Sequence, residues 1–222
     1  MHLPYFKAII LDLDGLVLDT EPTYAKAWQY AAREMGFNLD DTLCQQLKGC
    51  YLDAVQNKLQ KAFGPSFHIP TFHRLSTRFW HQWVEINGIA TKPGYQELMD
   101  FLRQTRYPYA LATNSQRQYA EKCMALAGVL EDFPLTVTRD EVKSGKPAPD
   151  IYLRAAEMLK TAPADCLAVE DSEPGIFSAH RAGTQPVLIP DSAPLSSETE
   201  ALAIAKFPSL KHLVSHLTAV TL

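Results

Sequence analysis

Residues Ala8 to Leu11 read AIIL and lead straight into Asp12-Leu13-Asp14-Gly15, and no other stretch constrains the fold as much. An apolar run this short, with two adjacent β-branched residues, suits a buried strand and not a helix. A strand buried on both faces implies a parallel α/β sheet, and in such sheets ligands bind beyond the carboxyl ends of the strands. Asp12 and Asp14 fall there. Turn chemistry alone also places Asp and Gly after a strand. The spacing argues for more, because residues two apart on an extended chain point the same way. Two carboxylates facing one spot need a cation or a shared proton.

The chain has 222 residues, enough for one large domain or a domain with an insertion. Its formal net charge is -4, and no run of lysine or arginine points to nucleic acid or an anionic membrane as partner. No apolar stretch approaches the roughly 18 residues that span a bilayer, and the start of the chain lacks a leader pattern. A soluble, cytoplasmic protein is expected. The four cysteines, Cys44, Cys50, Cys123 and Cys166, show no CxxC spacing and read as reduced structural thiols.

After Thr20 the pattern turns helical for some seventy residues. Tyr24, Ala27, Trp28, Ala31 and Met35 form a stripe behind Pro22 that stops at Gly36. Further helices are expected around Asp41–Leu47, Leu52–Phe63 and Pro70–Ile86, separated by turns at Lys48-Gly49 and Gly64-Pro65 and closed by Asn87-Gly88. From Lys92 onward strands and helices alternate. The strands are expected at Tyr109–Thr113, Leu135–Thr138, Cys166–Val169 and Pro186–Ile189, and two helices near Ser197–Ala205 and Leu210–Leu217 finish the chain. The pattern predicts a doubly wound parallel sheet, an α/β core of residues 1–18 and 89–222, with an α-helical domain of residues 19–88 inserted after the first strand. Leu16–Thr20 and Asn87–Lys92 would be its hinges.

Further polar groups fall at or beyond strand ends. Thr113 and Asn114 end the second strand before a helix, where a hydroxyl and backbone N–H groups suit an anion. Lys146 sits in a Gly-Lys-Pro turn after the third strand, and Glu170-Asp171 end the fourth. Four converging acids without a cation would repel, and hard oxygen ligands without a His or Cys set favour Mg²⁺. A metal, a lysine and backbone donors around one point make a site for a phosphoryl group. One aspartate would be the nucleophile that forms an acyl phosphate, and the other the general acid and base. Spacing leaves open which takes which part.

DLDGLVLDT, LATNS, SGKPAPDIY and AVEDSEPGI, in this order, resemble the four motifs of the haloacid dehalogenase (HAD) superfamily. More narrowly they resemble its phosphatase and β-phosphoglucomutase-like branch, whose Rossmann-like core carries a helical cap. The resemblance implies that Asp12 is the nucleophile and Asp14 the general acid/base, and that Thr113 and Lys146 hold the phosphate with Asn114 nearby. It also implies Mg²⁺ on Asp12, the backbone carbonyl of Asp14, and Asp171, with Glu170 assisting. Dehalogenases resemble this fold but lack an acid at the Asp14 position, since halide leaves without a proton. Asp14 therefore implies phosphoryl transfer.

Gln46–Gly49 resembles the cap loop of β-phosphoglucomutases, but Tyr24 and Leu52 stand where those enzymes carry His and Arg. Losing a cationic clamp on a second phosphate favours hydrolysis over mutase chemistry. The expected activity is a Mg²⁺-dependent phosphatase acting through an aspartyl-phosphate on a small phosphorylated metabolite, a sugar phosphate before others. A phosphosugar mutase is the alternative, and a non-catalytic phosphate-binding protein ranks below both. His212 and His216 read as an exposed helix face, and Phe79, Trp80 and Trp83 as core packing.

Overall fold

A computed structural model describes residues 3–47, 52–191 and 195–221. The turn expected at Lys48-Gly49 and Cys50 lie outside them. The chain divides into two compact units, Met1–Leu18 with Ala90–Leu222, and Asp19–Ile89.

The chain begins with β1 (Ala8–Leu11), every residue of which is buried. The second unit follows as four helices, α1 (Glu21–Glu34), α2 (Asp41–Leu47), α3 (Leu52–Phe63) and α4 (Ile69–Asn87). Pro22 lies in the first turn of α1, where its missing N–H costs nothing. The apolar stripe of α1 packs on α4, and Ala31, Ala32, Cys44, Leu47, Leu59, Phe67 and Phe72 form the core of this unit. Trp80 is buried there too, its indole donating to Thr23 Oγ1 at 2.9 Å.

The first unit resumes with α5 (Tyr95–Thr105), β2 (Tyr109–Ala112), α6 (Arg117–Leu126), β3 (Thr136–Val137) and α7 (Asp150–Met158). It closes with β4 (Cys166–Glu170), α8 (Glu173–Arg181), β5 (Gln185–Leu188), α9 (Ser197–Leu202), β6 (Ala205–Lys206) and α10 (Leu210–Thr221). The strands form one parallel sheet in the order β3-β2-β1-β4-β5-β6. Ala8 and Ile10, Ala110 and Ala112, Cys166 and Ala168 share one face, packed against Ile151, Tyr152, Ala155 and Ala156 of α7 and Ala179 of α8. Ile9, Leu11, Leu111, Leu167 and Val169 on the opposite face are equally inaccessible to solvent, the double burial that the unbroken apolar run of β1 predicts.

The order places the site. Connections run outward in one direction from β1 through β2 to β3 and in the other from β4 through β5 to β6, so the reversal lies between β1 and β4. Their carboxyl ends open the crevice in which such sheets bind ligands, and Asp12 and Glu170-Asp171 stand at those two ends.

One element differs from expectation. Helix is expected through Ala205, but α9 stops at Leu202 and residues 205–206 become a sixth strand. Ala203 is already extended, Ile204 donates to Pro186 O at 2.8 Å, and Ala205 and Lys206 pair with Val187 and Leu188. The open edge of β5 outweighs the helix propensity of an alanine-rich segment.

Candidate active site

Lys146 is the centre of the site. Its ammonium donates to Asp12 Oδ1 and, at 2.5 Å, to Glu170 Oε1, with the lysine and glutamate side chains 3% and 0% exposed. The pairing is therefore a buried triad that joins the ends of β1 and β4 to the turn before α7. Burial works against the lysine's charge, but Asp12 and Glu170 outweigh it and raise the Lys146 pKa, holding it protonated. Burial pushes the Asp12 carboxyl up to about 7, against the pull of Lys146 and with the push of Glu170.

Glu170 takes four donors: Lys146 and the Tyr152 hydroxyl (2.7 Å) on Oε1, the Asp171 N–H (3.2 Å) and the Ser172 hydroxyl (3.1 Å) on Oε2. Burial and the Glu170 charge raise the Tyr152 phenol well above its ordinary value, which keeps it a donor. Ser172 also caps α8 by accepting from Gly175 N. A Cβ on Gly175 would collide with the Glu170 carboxylate, so only glycine fits that turn.

Asp171 completes an acidic group. One oxygen each from Asp12, Glu170 and Asp171 lie within 4.8 Å of one another. Asp171 is pushed well above the usual carboxylate range by burial, then by Asp12 and Glu170, and its Oδ1 is buried with no hydrogen-bond partner among the described residues. With all three acids ionised, one ammonium leaves two negative charges uncompensated. A buried carboxylate oxygen without a donor, in an all-oxygen set, fits a hard divalent cation, so this cluster can hold a metal. Gly15 belongs to the same arrangement. It adopts φ +85°, and a Cβ there would strike the Asp171 carboxylate.

Asp14 stands apart from the ammonium. Its Oδ2 accepts from the Ser115 hydroxyl at 2.7 Å and its Oδ1 from the Tyr119 hydroxyl at 3.4 Å. Thr113 is buried, its N–H donating to Val137 O at 2.9 Å and its Oγ1 accepting from Ser115 N at 3.0 Å. The Asn114 amide meets the backbone of Lys146, Oδ1 accepting from Lys146 N at 2.8 Å and Nδ2 donating to Lys146 O at 3.1 Å.

The residues singled out in the sequence fall in two hydrogen-bonded sets at the carboxyl ends of the strands. Asp12, Lys146, Glu170 and Asp171 cluster directly, Asn114 is tied to Lys146, and Asp14 is tied through Ser115 to Thr113. Tyr152, Ser172, Gly175 and Tyr119 were not singled out. Tyr152 carried a signal, since a tyrosine on the otherwise aliphatic buried face of α7 needs a partner for its hydroxyl. Tyr119 carried none. His212 is exposed and pairs with Ser209, and no histidine joins a metal-capable group among the described residues. Cys44, Cys123 and Cys166 are buried, and no described helix is long and apolar enough to cross a membrane.

A doubly wound sheet with a buried ammonium and an acidic cluster at its switch point defines an α/β protein with a polar site at the strand ends. The family model for haloacid dehalogenase-like hydrolases matches residues 9–189, and the chain belongs to that family. It is 28% identical over 195 residues to a β-phosphoglucomutase of Bacillus subtilis, covering 85% of each chain. It is 42% identical over 196 residues to a bifunctional riboflavin kinase/FMN phosphatase of Arabidopsis thaliana, spanning 82% of this chain and about half (48%) of that one. It is 29% identical over 183 residues to a phosphorylated carbohydrates phosphatase of Thermotoga maritima, covering 81% of this chain and 82% of that one. Among solved structures, a HAD family hydrolase of Deinococcus radiodurans with bound phosphate and sodium superposes with a TM-score of 0.83 at 26% identity, covering 97% of this chain and 96% of that one.

Proposed function

We propose that this enzyme hydrolyses the phosphomonoester of a small phosphorylated metabolite through an aspartyl-phosphate on Asp12. The observation that carries the reading is the placement of the two aspartates: Asp12 lies on the buried ammonium of Lys146, and Asp14, two residues on, is held by the Ser115 hydroxyl at the end of the same strand. Lys146 and a bound cation beside Asp12 would offset its burial and favour the ionised nucleophile, and Asp14, which does not reach that ammonium, suits the proton carrier.

In the first half-reaction Asp12 Oδ attacks phosphorus, the bond to the alcohol oxygen breaks, and Asp14 gives that oxygen its proton. In the second, water attacks phosphorus, the Asp12 oxygen leaves, and the water's proton passes to Asp14. Lys146 and the Thr113 hydroxyl hold the phosphoryl oxygens. Asp12, Glu170, Asp171 and the Asp14 carbonyl would hold Mg²⁺, which would supply positive charge against the negative charge on the phosphoryl oxygens. Thermotoga and Bacillus relatives named for phosphorylated sugars support a sugar phosphate as substrate. The relative at 42% identity favours FMN as a second candidate, and its phosphate is likewise an ester of a primary alcohol.

The test is phosphate release by the purified chain with Mg²⁺ over a panel of sugar phosphates, sugar alcohol phosphates and FMN. Release is expected, with loss on Asp12→Asn and on chelation. Metal-dependent release retained in Asp12→Asn would overturn the nucleophile. Conversion of a sugar 1-phosphate to its 6-phosphate without release would make the chain a mutase.

A further inference from the structure

We propose that Ser115, assisted by Tyr119, is a positioning residue that aims the Asp14 carboxyl at the leaving oxygen. The inference rests on the assignment of Asp14 as proton carrier made above.

Ser115 is braced before it touches Asp14. Its N–H donates to Thr113 Oγ1 at 3.0 Å and its carbonyl accepts from Arg139 N at 3.0 Å, so both backbone ends are fixed to the loop beyond β2 and the segment beyond β3. From that fixed point its hydroxyl reaches Asp14 Oδ2 at 2.7 Å, a full-strength O–H···O distance. Tyr119, in the first turn of α6, meets the other oxygen at 3.4 Å, a longer and weaker contact. The backbone of Asp14 is held as well, in a bridge with Leu18 across the tight turn that Gly15 makes.

The consequence is orientational. A carboxyl on a short side chain rotates about χ2 with little resistance, and the short hydrogen bond to Oδ2, with the longer one to Oδ1, narrows that rotation and so sets the direction in which the carboxyl faces. Ser115 is neutral, so it fixes Asp14 without adding the charge that Lys146 adds at Asp12. Ser115 touches neither phosphorus nor alcohol in this scheme and acts only through Asp14.

A leaving-group comparison separates this role from general support of the fold. The full chain with Mg²⁺ is assayed for kcat/KM, which reports steps through loss of the alcohol, on a primary alkyl phosphate taken from its substrates and on p-nitrophenyl phosphate. Nitrophenolate departs without a proton, and the alkoxide does not. Ser115→Ala is expected to lower kcat/KM on the alkyl ester by about 10-fold more than on the aryl ester, within the range a proton-transfer catalyst supplies. Tyr119→Phe is expected to act in the same sense more weakly, Ser115→Thr to restore the alkyl activity, and Asp14→Asn to show the largest split. Equal losses on both esters in Ser115→Ala, with a split in Asp14→Asn, would overturn the inference and leave the acid/base reading standing. No split in Asp14→Asn would overturn both.

Discussion

Asn114 grips Lys146 by its backbone from both sides, accepting from its N–H at 2.8 Å and donating to its carbonyl at 3.1 Å, and so fixes the residue whose ammonium joins Asp12 to Glu170. Gly145 makes the approach possible, because a Cβ there would collide with Asn114 Oδ1. An amide is the side chain that can donate and accept in one plane, so neither Asp nor Leu of similar size replaces it.

Asn114→Ala is accordingly expected to lose two hydrogen bonds, about 1–3 kcal/mol of stability by denaturant titration. Activity is expected to fall about 10-fold or more as the lysine turn loosens, in line with the cost of removing groups that orient a site. Asn114→Asp keeps the acceptor for Lys146 N and loses the donor to Lys146 O. Its activity is expected between wild type and Ala. If both variants kept wild-type kcat/KM, Asn114 would matter only to the fold.

The raised carboxyls of Asp12 and Asp171 make metal-free stability depend on pH. A carboxyl whose folded pKa exceeds its unfolded value binds its proton more tightly when folded. Its favourable contribution is complete below the unfolded value near 4 and is lost as pH rises through the folded value, about 7 for Asp12. Chelated protein is therefore expected to melt at a lower temperature at pH 8 than at pH 6, with a slope of at most about 1.4 kcal/mol per pH unit for each proton released. Asp12→Asn should flatten that slope, and so should saturating Mg²⁺, which rewards the ionised form. A slope unchanged by both would place the titration elsewhere in the chain.

Gly15 and Gly128 both adopt positive φ, +85° and +71°, but only Gly15 has a neighbour where a Cβ would stand. Alanine at either is expected to cost about 1–2 kcal/mol of backbone strain. Gly15→Ala should in addition displace the Asp171 carboxylate and weaken Mg²⁺ affinity, read as the shift in melting temperature against added metal. Gly128→Ala should leave that shift at the wild-type size. Equal metal responses would mean the Asp171 carboxylate relocates without loss.

The sequence makes this site legible to the extent that spacing and burial carry the information. AIIL forces a doubly covered strand, α2 and α3 take the bounds expected for them, and charges at strand ends converge because a parallel sheet brings those ends together. β6 is illegible for a complementary reason: Ala205 and Lys206 have no strand pattern of their own and take one only from the edge of β5. The hydroxyl donors around the acids are hidden in the same way. Ser115, Tyr119 and Tyr152 come from different elements and find their partners 101, 105 and 18 residues away, at spacings no local periodicity encodes.

Tyr152 shows how far such a hidden contact reaches. Its ring is fully buried on α7 within the sheet's core, with the Lys146 ammonium 5.2 Å from the ring centroid and its hydroxyl on the same Glu170 oxygen that Lys146 reaches. Tyr152→Phe keeps the ring and removes only the hydroxyl. Glu170 then retains three of its four donors, so the stability cost is expected to be modest, about 1 kcal/mol. Function is expected to suffer more, because with the phenol gone Lys146 alone holds Glu170 Oε1 and the balance between Asp12 and Glu170 for the ammonium shifts. A fall of about 10-fold in kcat/KM or in Mg²⁺ affinity is expected, the size typical of partners that orient metal-binding carboxylates. Wild-type values for both, alongside the small loss of stability, would reduce Tyr152 to a core residue whose hydroxyl is merely satisfied.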